Sequence, residues 1–247
     1  MKFAVLSDVH ANSTALEKVL QDAAQYGAEK IICAGDVVGY GPDPVGTIRM
    51  LREHGVVTVM GNHDAVVARL RDSGDMIGHA RDTDMRHRLE LTQDDLDWLG
   101  SLPYIYEDEA IAVAHANFVN PALMGYVNDR LDAQQSFFRR SERMLFIGHT
   151  HVEALFAFGM ASNPRFPDCI DHEPQDFKEK EGWQYLVNVG SVGYPRVRPY
   201  SSYVLYDSLT GDVLFRRIAF DFSNYIAKLR EKMIPIPDWL KVEVKMV

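Results

Sequence analysis

Five short apolar runs in this chain end on the same kinds of residue, and that repetition constrains the fold more than any other feature. KFAVL leads into Asp8-Val9-His10, KIICA into Gly35-Asp36, and VVTVM into Gly61-Asn62-His63-Asp64. Further on, IAVA leads into His115 and MLFI into Gly148-His149-Thr150-His151. Runs of four or five mainly aliphatic residues read as buried strands. The first run is followed by STALEKVLQDAAQYG, with Leu16, Val19, Leu20 and Ala23 on one helical face. Thr14 and Glu17 stand there at capping-box spacing and Gly27 is a natural stop. DPVGTIRMLREHG follows the second run, with Asp43 as N-cap and Pro44 in the first turn. This βαβαβ order implies a parallel sheet. Ligand sites in open α/β folds gather at the carboxyl ends of the strands, so the five ends deliver Asp, Asn and His side chains to one region.

Residues 65–100 read as helical and heavily charged, with Thr92 and Asp95 marking a second capping box. From residue 103 the texture changes. PYIYEDEAIAVAHAN alternates as a hairpin turning near Glu107 and Asp108, and DAQQSFFRRSER reads as a short helix. VEALFAF, QYLVNVG, SSYVLYD and DVLFRRIAF are further strands, and SNYIAKLREKM is an amphipathic helix. Residues 160–183 have loop composition and read as a polar insertion, whereas the tail IPIPDWLKVEVKMV fits no element. With no repeat and no clear linker, one domain spanning 1–247 is the simplest organisation, its later strands forming a second, more antiparallel sheet.

The formal charge is −9. An acidic surface disfavours broad contact with nucleic-acid backbones or anionic lipid. The two cysteines, Cys33 in an apolar run and Cys169 in a polar one, give no disulfide framework, which suits a reducing cytoplasm. MKFAVLSDVH is too short in apolar residues for a signal peptide, and no window approaches a membrane span. A cytoplasmic protein with no membrane partner is expected, and its oligomeric state is open.

The strand ends combine imidazole with carboxylate, which suits manganese, iron or zinc better than calcium or magnesium. Asp8, His10, Asp36, Asn62, His115, His149 and His151 are too many ligands for one tetrahedral ion. They suit two ions that share a carboxylate. In an extended chain, residues i and i+2 point to one side, so Asp8 with His10, and His149 with His151, can each offer two ligands to a single site. Two divalent ions would bring about +4, against about −2 from Asp8 and Asp36 and −1 from a hydroxide, leaving roughly one positive charge to attract a phosphate ester. An aspartate at position 62 would cancel it.

The series Asp8-x-His10, Gly35-Asp36, Gly61-Asn62-His63-Asp64, His115 and Gly148-His149-Thr150-His151 resembles the calcineurin-like metallophosphoesterase superfamily, in order and spacing, from residue 5 to about 200. SDVHANSTALEKVL, GDVVGYGPDP, LTQDDLDWLGSLP and NVGSVGYPR are similar to a bacterial and archaeal branch of predicted phosphodiesterases. That branch is related to symmetrical diadenosine tetraphosphatases and Ser/Thr phosphatases. The resemblance implies a four-layer α/β/β/α sandwich, two packed mixed sheets flanked by helices. It implies that Asp8, His10, Asp36 and His151 hold one metal, and that Asp36 bridges to a second held by Asn62, His115 and His149. A metal-bridging hydroxide would attack phosphorus in line. His63 would serve the leaving-group oxygen, with Asp64 accepting a hydrogen bond from its far nitrogen. Two positions depart from the pattern. Tyr40 stands where protein phosphatases carry a phosphate-gripping arginine, which shifts phosphate contact to Arg196 or Asn12. Ala116 stands where the family has glycine, at a cost of about 1 kcal/mol if that position needs positive φ.

Taken singly, these residues have plainer readings. Asn62, Asp64, Asp8 and Asp36 could be helix caps, and His115 a satisfied core histidine. Jointly they do not, because nothing structural requires five such blocks in this order. His79 and His87 read as a solvated helix face, and Asp171, His172 and Glu173 as surface charge. The expected function is hydrolysis of a small phosphate ester: a phosphodiester, a phosphomonoester or a dinucleoside polyphosphate. The alternatives are a nuclease of the same superfamily and, further off, a catalytically silent scaffold.

Overall fold

A computed structural model describes residues 1–76, 78–159, 168–197, 199–219, 222–238 and 240. β1 (Lys2–Leu6), β2 (Lys30–Cys33) and β3 (Val57–Thr58) pair in parallel, connected by α1 (Ser13–Gln25) and α2 (Pro44–Glu53). β11 (Ser201–Asp207) pairs antiparallel to β1, β12 (Asp212–Ile218) to β11, and the short β9 (Phe177–Lys178) to β12. This completes a mixed sheet in the order β3-β2-β1-β11-β12-β9. The second sheet runs β4-β5-β6-β10-β7-β8. Its strands are β4 (Ile105–Glu107), β5 (Ile111–Ala114), β6 (Met144–Ile147), β7 (Glu153–Gly159), β8 (Asp168–His172) and β10 (Trp183–Val189).

The period of two along each strand explains the layering. On β1, Phe3 and Val5 turn into a cluster shared with Val113, Phe146 and Val187 of the other sheet. Ala4 and Leu6 turn the opposite way, onto Leu16, Val19 and Leu20 of α1 and Ile48 and Leu51 of α2. On the far side, Ala112, Leu145 and Phe158 pack against Ala133 and Phe137 of α6 (Arg130–Phe137). The α/β/β/α order follows. Among the described residues no helix is long and apolar enough to cross a membrane.

Three local expectations change. The cap of α1 is Asn12, whose side chain accepts the N–H of Ala15 at 3.1 Å, and not Thr14. Asp43 and the Thr92–Asp95 box cap as expected. Part of the polar stretch 160–183 forms β8, β9 and the first residue of β10, because its backbone groups pair with β7 and β12. Residues 160–167 lie outside the described residues. The third change concerns α4 (Gly78–Glu90), which lies between α3 (Asn62–Val67) and α5 (Gln93–Gly100) in the chain. His87 does not sit on a solvated face: Thr83, Asp84 and His87 are buried, and His79 alone of the two histidines is exposed.

Candidate metal centre and cleft

The loops that follow the strands bring the seven expected ligands together. Ligand atoms of Asp8, His10, Asp36 and His151 lie within 4.8 Å of one another, and so do those of Asp36, His115 and His149. Asp36 belongs to both groups. Asn62 joins the second, with its Oδ1 3.0 Å from His115 Nε2. Holding these side chains inward takes unusual backbone. Asp8, His10, Asp36, His149 and His151 all have positive φ, between 48° and 69°. L-residues avoid that region at a cost of roughly 1–2 kcal/mol each, and such strain gathers at functional sites. Ala116 carries no positive φ, so the cost anticipated for it does not arise.

The carboxylates divide their two oxygens. Asp8 Oδ2 accepts the N–H of His149 at 2.9 Å, and Asp36 Oδ1 accepts the N–H of His63 at 2.9 Å. The remaining oxygens face imidazoles: Asp8 Oδ1 lies 3.2 Å from His151 Nε2, and Asp36 Oδ2 lies 3.4 Å from His115 Nε2. Asp8 Oδ1 is buried and receives no hydrogen bond. The imidazoles divide in the same way. Nδ1 of His10, His115 and His151 faces the carbonyls of Val38, Ala34 and Tyr194 at 2.9, 2.7 and 2.6 Å. A carbonyl only accepts, so each Nδ1 carries the proton and each Nε2 presents a lone pair. In the first cluster two of those lone pairs meet, His10 Nε2 standing 3.1 Å from His151 Nε2; in the second, His115 Nε2 faces His149 Nδ1 at 3.0 Å. The first cluster thus gathers acceptors around a space with no side-chain donor, and the second gathers Asn62, His115 and His149 about the shared Asp36. A metal cation would resolve the conflict in the first, and imidazole with carboxylate is a donor set for transition metals in both.

His63, the second residue of α3, stands beside the first cluster, its ring centroid 5.0 Å from that of His10. Its far nitrogen does not meet Asp64. Nδ1 lies 2.8 Å from Asp84 Oδ1, on α4. Asp64 points away because it answers the backbone: its oxygens accept the N–H groups of Gly61, Val37 and Val38 at 3.0, 2.9 and 3.2 Å. Burial works against a charged His63, yet Asp36 and then Asp84 outweigh it and raise its pKa to about 9. Asp84 is itself pushed up by burial, against the pull of His63. The fit is close: a Cβ on Gly39, at φ +87°, would run into the His63 ring and meet Asp84 Oδ1 at 3.0 Å. His87 fastens the same loop, accepting the N–H of Gly39 at Nδ1 (3.0 Å) and donating from Nε2 to the Gly41 carbonyl (2.9 Å). Burial drives its pKa down to about 3, so it stays neutral.

The clusters open into a cleft of about 330 Å³. Tyr40 and Arg196 line it, and Met76, Ala80 and Tyr126 complete the walls. The Tyr40 phenol, raised by burial, remains a neutral group. Asn12 does not reach the cleft. Its Oδ1 caps α1 and its Nδ2 donates to Gly193 O at 3.1 Å, so both polar ends are committed inside. Asp171 and Glu173 are exposed, in keeping with surface charge, and neither joins a metal-binding group among the described residues. Asp84 is the residue that sequence reasoning missed. Its signal was present in the spacing of Ala80, Thr83, Asp84 and His87, one face of a helix. That face is mostly polar, so hydrophobic periodicity did not show it.

The profile of the calcineurin-like phosphoesterase superfamily domain matches residues 1–211. The chain belongs to that superfamily. An uncharacterized protein of Methanocaldococcus jannaschii is 29% identical over 244 residues, covering 96% of this chain and 94% of that protein. The crystal structure of a metallophosphoesterase from Sphaerobacter thermophilus superposes with a TM-score of 0.78 at 29% identity, covering 95% of each chain. The phosphodiesterase YfcE of Escherichia coli K12 is 36% identical over 77 residues, 27% of this chain and 42% of that protein. Fold, family and paired clusters together support metal-dependent hydrolase activity in general.

Proposed function

We propose that the protein is a two-metal phosphohydrolase that cleaves a small phosphate ester. The observation that carries this reading is the pair of imidazole–carboxylate clusters sharing Asp36, with a buried histidine beside them. Asp8, His10, Asp36 and His151 hold one ion, and Asp36, Asn62, His115 and His149 the other. Manganese, iron or zinc bound there supplies Lewis acidity toward the phosphoryl oxygens and a water of lowered pKa. His63 faces the departing oxygen and gives it a proton. Asp84, in place of Asp64, holds the His63 ring in register and favours its protonated form. With cations beside Asp36, Asp84 is the partner whose charge His63 keeps. Arg196 meets the phosphoryl group from the open side of the cleft, as a planar donor suits phosphate.

Elemental analysis of protein purified without chelator, together with hydrolysis of 4-nitrophenyl esters, tests the reading. About two metal equivalents and metal-dependent turnover are expected. His63→Ala keeps the metal and loses turnover. Metal content near zero, or loss of metal in His63→Ala, overturns the assignment.

A further inference from the structure

Two tyrosines mark the two ends of the cleft. Tyr40 follows β2 with φ 55°, a strained backbone for a bulky residue. Its ring stands edge-on to His10 at 4.8 Å, lies 4.8 Å from His63, and stacks on Tyr194 at 4.3 Å. Tyr126 belongs to the other end, where its ring stacks on His149 at 4.1 Å and 24°. Half of that residue (51%) stays exposed. The loop that presents it is built rather than slack. Asn117, nearly buried, accepts the N–H groups of Val119 and Asn120 at 2.9 and 3.0 Å. It donates to the carbonyl of Gly125, the residue before Tyr126, at 2.7 Å. Holding a large aromatic ring half in water on an ordered loop brings little to the core. It does provide a flat apolar face beside the second cluster.

The phosphohydrolase reading, on which this inference rests, gives the two ends different work. His63 sits at the Tyr40 end, so the expelled group departs there. A monoester has no second carbon substituent and leaves the Tyr126 end unused. A diester keeps one ester substituent through the reaction, and that substituent has the face of Tyr126 to lie on. We infer that the substrate is a phosphodiester whose retained substituent carries an aromatic ring, a nucleobase or an aryl group, and that Tyr126 is the residue that selects it.

Three diesters that share the 4-nitrophenolate leaving group and a single negative charge isolate this contact: the methyl, phenyl and 5′-thymidine esters. In the wild-type protein, kcat/KM for the phenyl and thymidine esters exceeds that for the methyl ester by about tenfold to a hundredfold, the range of ring stacking. Tyr126→Ala brings the ratio close to one, whereas Tyr126→Phe retains it. Calorimetry of the metal-loaded protein gives a matching result, diphenyl phosphate binding more tightly than dimethyl phosphate and losing that margin in Tyr126→Ala. Equal kcat/KM for the three esters, or a ratio unmoved by Tyr126→Ala, overturns the inference while leaving the phosphohydrolase reading intact. If none of the three is cleaved while 4-nitrophenyl phosphate is, the inference falls and the phosphohydrolase reading stands; if that monoester is not cleaved either, both fall.

Discussion

α3, which carries His63, and α4, which packs against it, contrast in how their sequences announce them. α3 opens with Asn62-His63-Asp64 directly after an apolar strand, a compact polar block that reads as a site on sight. α4 reads as RDTDMRHR, a charged stretch fit for solvent, yet it buries Thr83, Asp84 and His87 against the loop from Val37 to Gly41. The two aspartates have exchanged the expected duties. Asp64, inside the motif, ties backbone to backbone, and Asp84, outside it, holds the histidine. Adjacency along the chain says little about which carboxylate a buried imidazole meets, because a helix start offers its first-turn acid to the N–H of its own cap, and here also to those of Val37 and Val38 in the neighbouring loop.

That division can be broken in order of expected effect. Asp36→Asn removes the carboxylate common to both clusters and should lower kcat by at least about a thousandfold, with metal content falling in parallel. An active, metal-replete variant would remove Asp36 from the centre of the site. Asp64→Ala strips three backbone donors of a buried acceptor and should cost about 3 kcal/mol or more of stability, read from urea unfolding. A normal denaturation midpoint with a lost pH-rate limb would hand the orienting role back to Asp64. Asp84→Asn should spare folding and metal content while lowering kcat about 10- to 100-fold, with KM little changed. A loss of metal instead would make Asp84 part of the ligand scaffold.

The smallest effect belongs to a control on α1, at Asp22. Burial raises the Asp22 carboxyl, but hydrogen bonds from Arg216 (3.0 Å) and Tyr203 (2.6 Å) outweigh it and leave its pKa below the ordinary value. A depressed carboxylate lends stability above its unfolded pKa, near 3.9, and that stability is lost as pH falls through the folded value. Asp22→Asn should therefore flatten the acid limb of the stability profile and leave kcat/KM unchanged. A steeper acid limb would contradict the sign.

Most of the architecture was legible because the strands alternate cleanly and end on chemistry. Phe3 and Val5 against Ala4 and Leu6 already state that β1 has apolar layers on both sides. The ligand set was legible in the strand ends, but its partition came from the family resemblance and not from spacing. His149 and His151, two apart, were candidates for one metal on the assumption of an extended chain. Both have left-handed backbone instead, within a tight turn in which Thr150 N–H reaches Gly148 O at 2.8 Å, and they fall into different clusters. Asn12 misled for another reason: an amide after a strand can cap a helix as readily as meet a substrate, and only the partner at Gly193, far along the chain, distinguishes the two.

The left-handed residues of the site also bear on how this chain tolerates drift. At Asp8, His10, Asp36, His149 and His151, glycine suits the backbone better than the resident side chains do. Glycine at His10, His149 or His151 relieves local strain in the metal-free chain, whereas at Asp8 or Asp36 it also leaves a buried N–H without its carboxylate. A lineage released from selection for turnover would accumulate glycine at the three histidines as its reaction disappeared.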